Sequence, residues 1–125
     1  MHIDHINIAA PAELLEQVKD FYCAVFDLAD GYRPNFSQSM GYWLYAEDRP
    51  LIHLSVKNVD YDNDIRSHID HVAFRMTGLR AVVKRLEANG IDFRIDQVPE
   101  IDMTQLFFKD PAGNGLEANF VGETL

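Results

Sequence analysis

The chain has 125 residues, 47% of them apolar, with one Trp, five Tyr and eight Phe, and it carries a formal net charge of −9. That size fits one domain, or two small halves sharing a core, and the apolar content is ample for a packed interior. The acidic balance speaks against a nucleic-acid partner, which would want a basic stripe, and against docking on anionic lipid.

Residues 2–9 alternate as a strand does. Pro11 then opens a helix, its fixed φ suiting a first turn, and Leu14, Leu15, Val18, Phe21, Tyr22 and Val25 recur at helical spacing to about residue 26. Cys23, the single cysteine, lies in this pattern as a buried thiol and cannot form an internal disulfide. Asp30-Gly31 reads as a turn. Two strands follow, 40–46 and 51–56, separated by the turn-forming Glu47-Asp48-Arg49-Pro50. The polar stretch 58–68 is the best linker, dividing module 1 (1–57) from module 2 (69–125). The second half replays the order: a strand over 69–76, then a helix carrying Leu79, Val82, Val83 and Leu86 and ending at Asn89-Gly90. Strands over 91–97, 103–109 and 115–121 follow, the last two joined by the turn 110–115. The second half therefore reads as βαβββ, and the duplication assigns the same order to the first. No stretch is long enough to span a membrane. The first residues lack the basic-then-apolar order of a signal peptide, so a cytoplasmic protein is expected.

The two halves also share wording. Ile3-Asp4-His5-Ile6 returns as Ile69-Asp70-His71-Val72, and each His is followed, 48 and 46 residues later, by a second residue able to bind a metal, His53 and Glu117. Strand parity supports the match, because alternate side chains face opposite sides of a sheet. Opposite these four residues lie apolar sets: Ile6 and Ile8; Ile52, Leu54 and Val56; Val72, Phe74 and Met76; Leu116, Ala118 and Phe120. Beside them lie mainly polar or small residues, Asn7, Ser55, Ala73, Arg75, Gly115 and Asn119. One His on a strand is commonly just a hydrogen-bonded residue, which is how His2 and His68 read. Four such groups in repeat-matched positions need a shared partner if they are withdrawn from water, and a divalent cation is one.

With these residues in view, the chain resembles the vicinal oxygen chelate superfamily, which includes glyoxalase I, extradiol dioxygenases and the bleomycin-resistance proteins. The resemblance rests on Ile-Asp-His opening each half, on Phe21-Tyr22, and on the stretch Phe107-Phe108-Lys109-Asp110-Pro111-Ala112-Gly113-Asn114-Gly115-Leu116-Glu117. It implies an α+β fold in which two βαβββ modules curve an eight-stranded mixed sheet around a metal site, here as a single domain over 1–125. The site would lie within one chain or across a homodimer. It also implies His5, His71 and Glu117 as metal ligands, with His53 standing where glyoxalase I has a glutamate that is both ligand and base.

The activity expected on this resemblance is a metal-dependent lyase or isomerase reaction on a small molecule that chelates the metal through two neighbouring oxygens. His53 or Glu117 would move the proton and Zn, Ni, Co, Mn or Fe(II) would serve as the ion. An extradiol-type non-haem iron dioxygenase is the second reading. Against it, the tyrosine expected three residues before Asp110-Pro111 is Phe107, and no histidine lies between His71 and the end of the sequence. A non-enzymatic binding or resistance protein is the third. Substrate contacts are expected from Arg75, whose guanidinium suits an anionic group, and from Asn7, Trp43 and Phe107. Tyr45 and Phe36 could join these aromatics or belong to the core, and Arg33 and Gln105 rank below Arg75.

Overall fold

The computed structural model describes residues 3–35, 40–58, 69 and 71–125; His2, Phe36, Asp70 and the linker from 59 to 68, His68 included, lie outside them. The chain forms two compact units, Met1–Ile65 and Arg66–Leu125, each built around its own four-stranded sheet.

Module 1 runs β1 (Ile6–Ala10), α1 (Ala12–Phe26), β2 (Ala29–Gly31), β3 (Gly41–Ala46) and β4 (Arg49–Val56), in the sheet order β1-β4-β3-β2. Only the β1–β4 pairing is parallel. Helix α1 begins after Pro11, whose carbonyl accepts from Leu15 N at 2.9 Å. Its buried stripe is Leu15, Val18, Phe21, Tyr22 and Val25, set against Ile8, Ala10, Leu44, Ile52 and Leu54 of the sheet. Burying each large aliphatic group contributes about 1.5–3 kcal/mol. The Tyr42 hydroxyl on β3 donates to Glu16 of the helix, and Lys19 Nζ lies 2.8 Å from Glu16 Oε2.

Two expectations for this module change. Asp30-Gly31 is not a turn but part of β2, paired with Leu44 and Trp43. The reversal comes earlier, where Asp27 adopts a left-handed conformation (φ 58°) and ends the helix. The turn before β4 is also shorter than expected. Glu47 takes φ 57°, and Arg49 and Pro50 already belong to the strand. Pro50 fits there because the β3–β4 register slips between Leu44 and Tyr45, next to its own partner Tyr45, where a missing N–H is tolerated.

Module 2 runs β5 (His71–Arg75), α2 (Leu79–Ala88), β6 (Arg94–Val98), β7 (Met103–Lys109) and β8 (Gly115–Val121), in the order β5-β8-β7-β6 with β5–β8 parallel. Strands β7 and β8 match the expected bounds. Strand β6 starts later than expected, because Gly90 (φ 66°) and the bond from Ile91 N to Leu86 O close α2 in a Schellman-type end that uses the next residues. A 3-10 turn over Pro99–Ile101 was not expected. The buried set is Leu79, Val82 and Leu86 with Leu106, Phe108, Leu116, Ala118 and Phe120, the parity the sequence gives for β8; Val72 and Phe74 are only half-buried. The Glu123 carboxylate accepts from Gly78 N at 2.9 Å and Leu79 N at 2.7 Å, capping the start of α2 where a negative charge is favoured.

Candidate metal centre

In module 1 the parallel β1–β4 ladder places Asn7 across from His53, and the antiparallel β3–β4 ladder places Trp43 on the other side of His53. His5 stands just ahead of β1 on the same face. Three rings stack in a row. Trp43 and His53 have centroids 4.0 Å apart at 9°, and His53 and His5 have centroids 3.8 Å apart at 14°. Two charged imidazoles would repel in this arrangement. Burial first, and then the neighbouring His5, hold the His53 imidazole below its usual pKa, so it is neutral at pH 7.

The tautomer follows from the neighbours. His53 bonds the Pro50 backbone, while its buried Nε2 has no hydrogen-bond partner among the described residues. Nδ1 therefore carries the proton and Nε2 presents a lone pair. His5 is held in the same sense, since its Nδ1 lies 2.7 Å from Asp4 Oδ2 and a carboxylate can only accept. A ring nitrogen fixed by a carboxylate or carbonyl, with the other left free, is how histidine ligands are commonly oriented. The pairing of His5 with Asp4 thus has a reason that spacing alone does not disclose.

In module 2, His71 Nε2 lies 2.8 Å from Glu117 Oε2, and Glu117 is only 5% exposed. Gln105 Nε2 donates to the other oxygen, Oε1, at 2.6 Å. Phe107, across from Glu117 in the β7–β8 ladder, meets the His71 ring edge-on at 6.0 Å and carries the Arg94 guanidinium 4.6 Å above its own ring. Trp43 and Phe107 occupy the same place in their modules, each directly opposite the second candidate ligand.

Each module by itself carries donor chemistry of the kind a divalent cation takes: in module 1 a neutral imidazole whose buried Nε2 has no partner among the described residues, and in module 2 a buried carboxylate whose Oε2 lies 2.8 Å from His71 Nε2. Two adjacent ligand atoms, each roughly 2.0–2.2 Å from one ion, lie about 3 Å apart. Among the described residues no group of three or more His, Cys, Asp or Glu side chains is placed to hold a metal ion.

The other expected contacts sort differently. Asn7 lies on the His53 face, its Oδ1 accepting from Ser55 Oγ at 2.9 Å. Asn7, Trp43 and Ser55, with Asp4, Arg33 and Pro50, surround a cavity of about 540 Å³ that also touches His5 and His53. Arg33 thus has a better-defined place than its sequence ranking suggests. Arg75 is exposed at the end of β5, across from Asn119. Tyr45 donates its hydroxyl to the Tyr32 carbonyl at 2.6 Å. Sequence reasoning overlooked Pro50, whose carbonyl role no side-chain pattern could reveal, and ranked Gln105 among substrate contacts, although its amide is engaged by Glu117.

Comparison with known proteins agrees with this architecture. The family model for the Glyoxalase/Bleomycin resistance protein/Dioxygenase superfamily matches residues 2–118, and the chain belongs to that superfamily. It is 27% identical over 124 residues, 94% of this chain and 71% of the relative, to a protein of Arabidopsis thaliana named Glyoxylase I 4. A glyoxalase family protein from Bacillus anthracis superposes with a TM-score of 0.73 at 25% identity, over 95% of this chain and 93% of that one. A variant of the fosfomycin resistance protein FosX from Listeria monocytogenes, solved with Mn(II) and 1S,2S-dihydroxypropylphosphonic acid, shares the fold with a TM-score of 0.72 at 16% identity, over 96% and 92% of the two chains. No helix among the described residues is long and apolar enough to cross a membrane.

Proposed function

We propose that the protein is a metal-dependent, glyoxalase-like lyase or isomerase whose small substrate offers two neighbouring oxygens, with His5, His53, His71 and Glu117 as its metal ligands. The observation that carries this reading is the neutral His53 imidazole with a buried Nε2 lone pair that has no partner among the described residues. The name of the Arabidopsis relative supports the reaction class, and the manganese in the FosX structures supports the use of a divalent ion. The mixed His and Glu donors suit Zn, Ni, Co, Mn or Fe(II) alike. When bound, the cation stabilises negative charge that develops on the substrate oxygens.

The remaining work falls to the chain's own side chains. The Pro50 bond aims His53, and its neutral state makes Nε2 able to take a proton from substrate near pH 7 whenever that lone pair is off the ion. Trp43 and Phe107 wall the two pairs and limit water. Asn7 and Arg75 are assigned the orienting of substrate, on the strength of their polar side chains. The working form is taken as a homodimer.

The test is metal content together with turnover. Purified protein is expected to hold about one ion per chain, and His53→Ala and His71→Ala should each abolish binding, because ligands of one centre act together. Retention of metal by either variant would overturn the shared centre. Isomerisation of the methylglyoxal–glutathione adduct, lost on His53→Ala, is the expected activity. Dioxygen uptake with a catechol by the iron-loaded protein would replace it with the dioxygenase alternative.

A further inference from the structure

We propose that Gln105 is the positioning residue for Glu117: by donating to Oε1 it fixes the carboxylate and leaves Oε2 alone for the cation, so that Glu117 ligates through one oxygen. This rests on the metal reading above and deepens it.

The geometry is specific. A carboxylate only accepts hydrogen bonds, so at 2.6 Å the Gln105 amide must present its nitrogen to Oε1. The opposite oxygen, Oε2, is the one beside His71 Nε2. The two carboxylate oxygens thus have different tasks before any ion arrives. The β7–β8 ladder pairs Gln105 with Asn119 and Phe107 with Glu117, which sets Gln105 one diagonal step from Glu117 on the same face. Thr104 and Leu106, its neighbours in β7, are fully buried on the other face, so Gln105 cannot change sides without a register slip. Because Glu117 is itself buried, water is poorly placed to take over the amide's bond.

The consequence concerns open coordination positions. A free carboxylate readily binds through both oxygens. Single-oxygen ligation by Glu117 would take up one coordination position and a bidentate Glu117 two, so the amide's hold on Oε1 would keep one more position available to a chelating substrate. Gln105 therefore bears on how substrate is held without touching it.

The test is a Co(II) titration, followed by visible absorption, of the unaltered protein, of Gln105→Met, which keeps the volume and removes the donor, and of Gln105→Thr, a good strand residue too short to reach Glu117. Both variants are expected to bind Co(II) 10–100-fold more weakly. The ligand-field bands should change as Glu117 rotates, with the metal-free melting temperature little altered. In a Glu117→Gln background the effect of Gln105→Met should vanish. Binding as tight as the unaltered protein's with an unchanged spectrum, or an equal loss in both backgrounds, would overturn the role of Gln105 and leave the metal centre standing. Failure of the unaltered protein to bind Co(II) would overturn both.

Discussion

Positions 53 and 117 are equivalent in the duplicated chain, yet the two modules hold them by different means. In module 1 the proposed ligand pair is held by ring stacking, with Trp43, His53 and His5 in one row, and by the Pro50 carbonyl. In module 2 it is held by side-chain hydrogen bonding, with Gln105 on Glu117 and Glu117 on His71. The ladder shows why one solution cannot be copied into the other. Gln105 sits opposite Asn119, and the matching residue opposite Ser55 is Gly41. A Cβ at Gly41 would lie 1.9 Å from the Leu54 carbonyl oxygen, so no side chain can reach His53 from there. A neutral imidazole with one proton needs one acceptor, which a backbone carbonyl supplies. A carboxylate needs donors, and only a side chain such as Gln105 supplies one from this face of a strand. Duplication preserved the geometry, while the ligand's chemistry set its support.

The sharpest way to break this comparison is to remove one ligand from each side. Glu117→Ala and His53→Ala should each weaken metal binding by more than the 10–100-fold expected for losing a supporting partner. Trp43, the chain's only tryptophan, gives a readout: its fluorescence should respond to Co(II) in the unaltered protein and not in His53→Ala. A response that survives in His53→Ala would place the ion elsewhere.

Next in size are substitutions at the matched positions 41 and 105. Gly41→Ala forces a methyl group onto a backbone oxygen that cannot move without breaking the β3–β4 ladder, and should cost at least 1–3 kcal/mol, roughly the range for overpacking. Gln105→Ala should lower the melting temperature less while weakening metal binding more. The reverse ranking would mean that Gln105 serves the fold rather than the site.

The helices offer a milder contrast. Glu123 accepts from two backbone N–H groups at the start of α2, so Glu123→Ala should cost about 1 kcal/mol, the usual scale for a helix cap, measured by denaturant unfolding. The smallest effect is expected at the α1 surface. The Lys19 hydrogen bond, followed by that of Tyr42, holds the Glu16 carboxyl below 4.5, and the Glu16 bond raises Lys19 above 10.5. Stability from Glu16 is present above pH 4.5 and lost as pH falls through its lowered pKa. Stability from Lys19 is present below 10.5 and lost as pH rises through its raised one. The melting difference between the unaltered protein and Lys19→Met should therefore be flat at neutral pH and close at both extremes. A difference that persists in acid would assign the effect to packing of the lysine stem.

Much of this could be read from the residues in order. The repeat named His5, His53, His71 and Glu117, and strand parity separated them from Leu54, Leu116 and Phe120, because alternation is a local property of extended chain. The bounds of β7 and β8 followed from a turn whose residues hold each other, Asp110 Oδ1 accepting from Asn114 N at 2.8 Å. The second strand of module 1, β2, did not follow. Asp30-Gly31 has turn composition, and only pairing with β3 makes it a strand.

The sequence by itself determined the βαβββ order of module 2, the repeat that relates it to module 1, the buried faces and the identity of the candidate donor residues, since these depend on periodicity and on what each side chain can chemically do. Which nitrogen of His53 is free, which oxygen of Glu117 is held, and that Trp43 and Phe107 stand opposite them were decided only by the tertiary structure. Those facts depend on cross-strand register and on a backbone carbonyl from Pro50, neither of which is carried by the nature of a single residue.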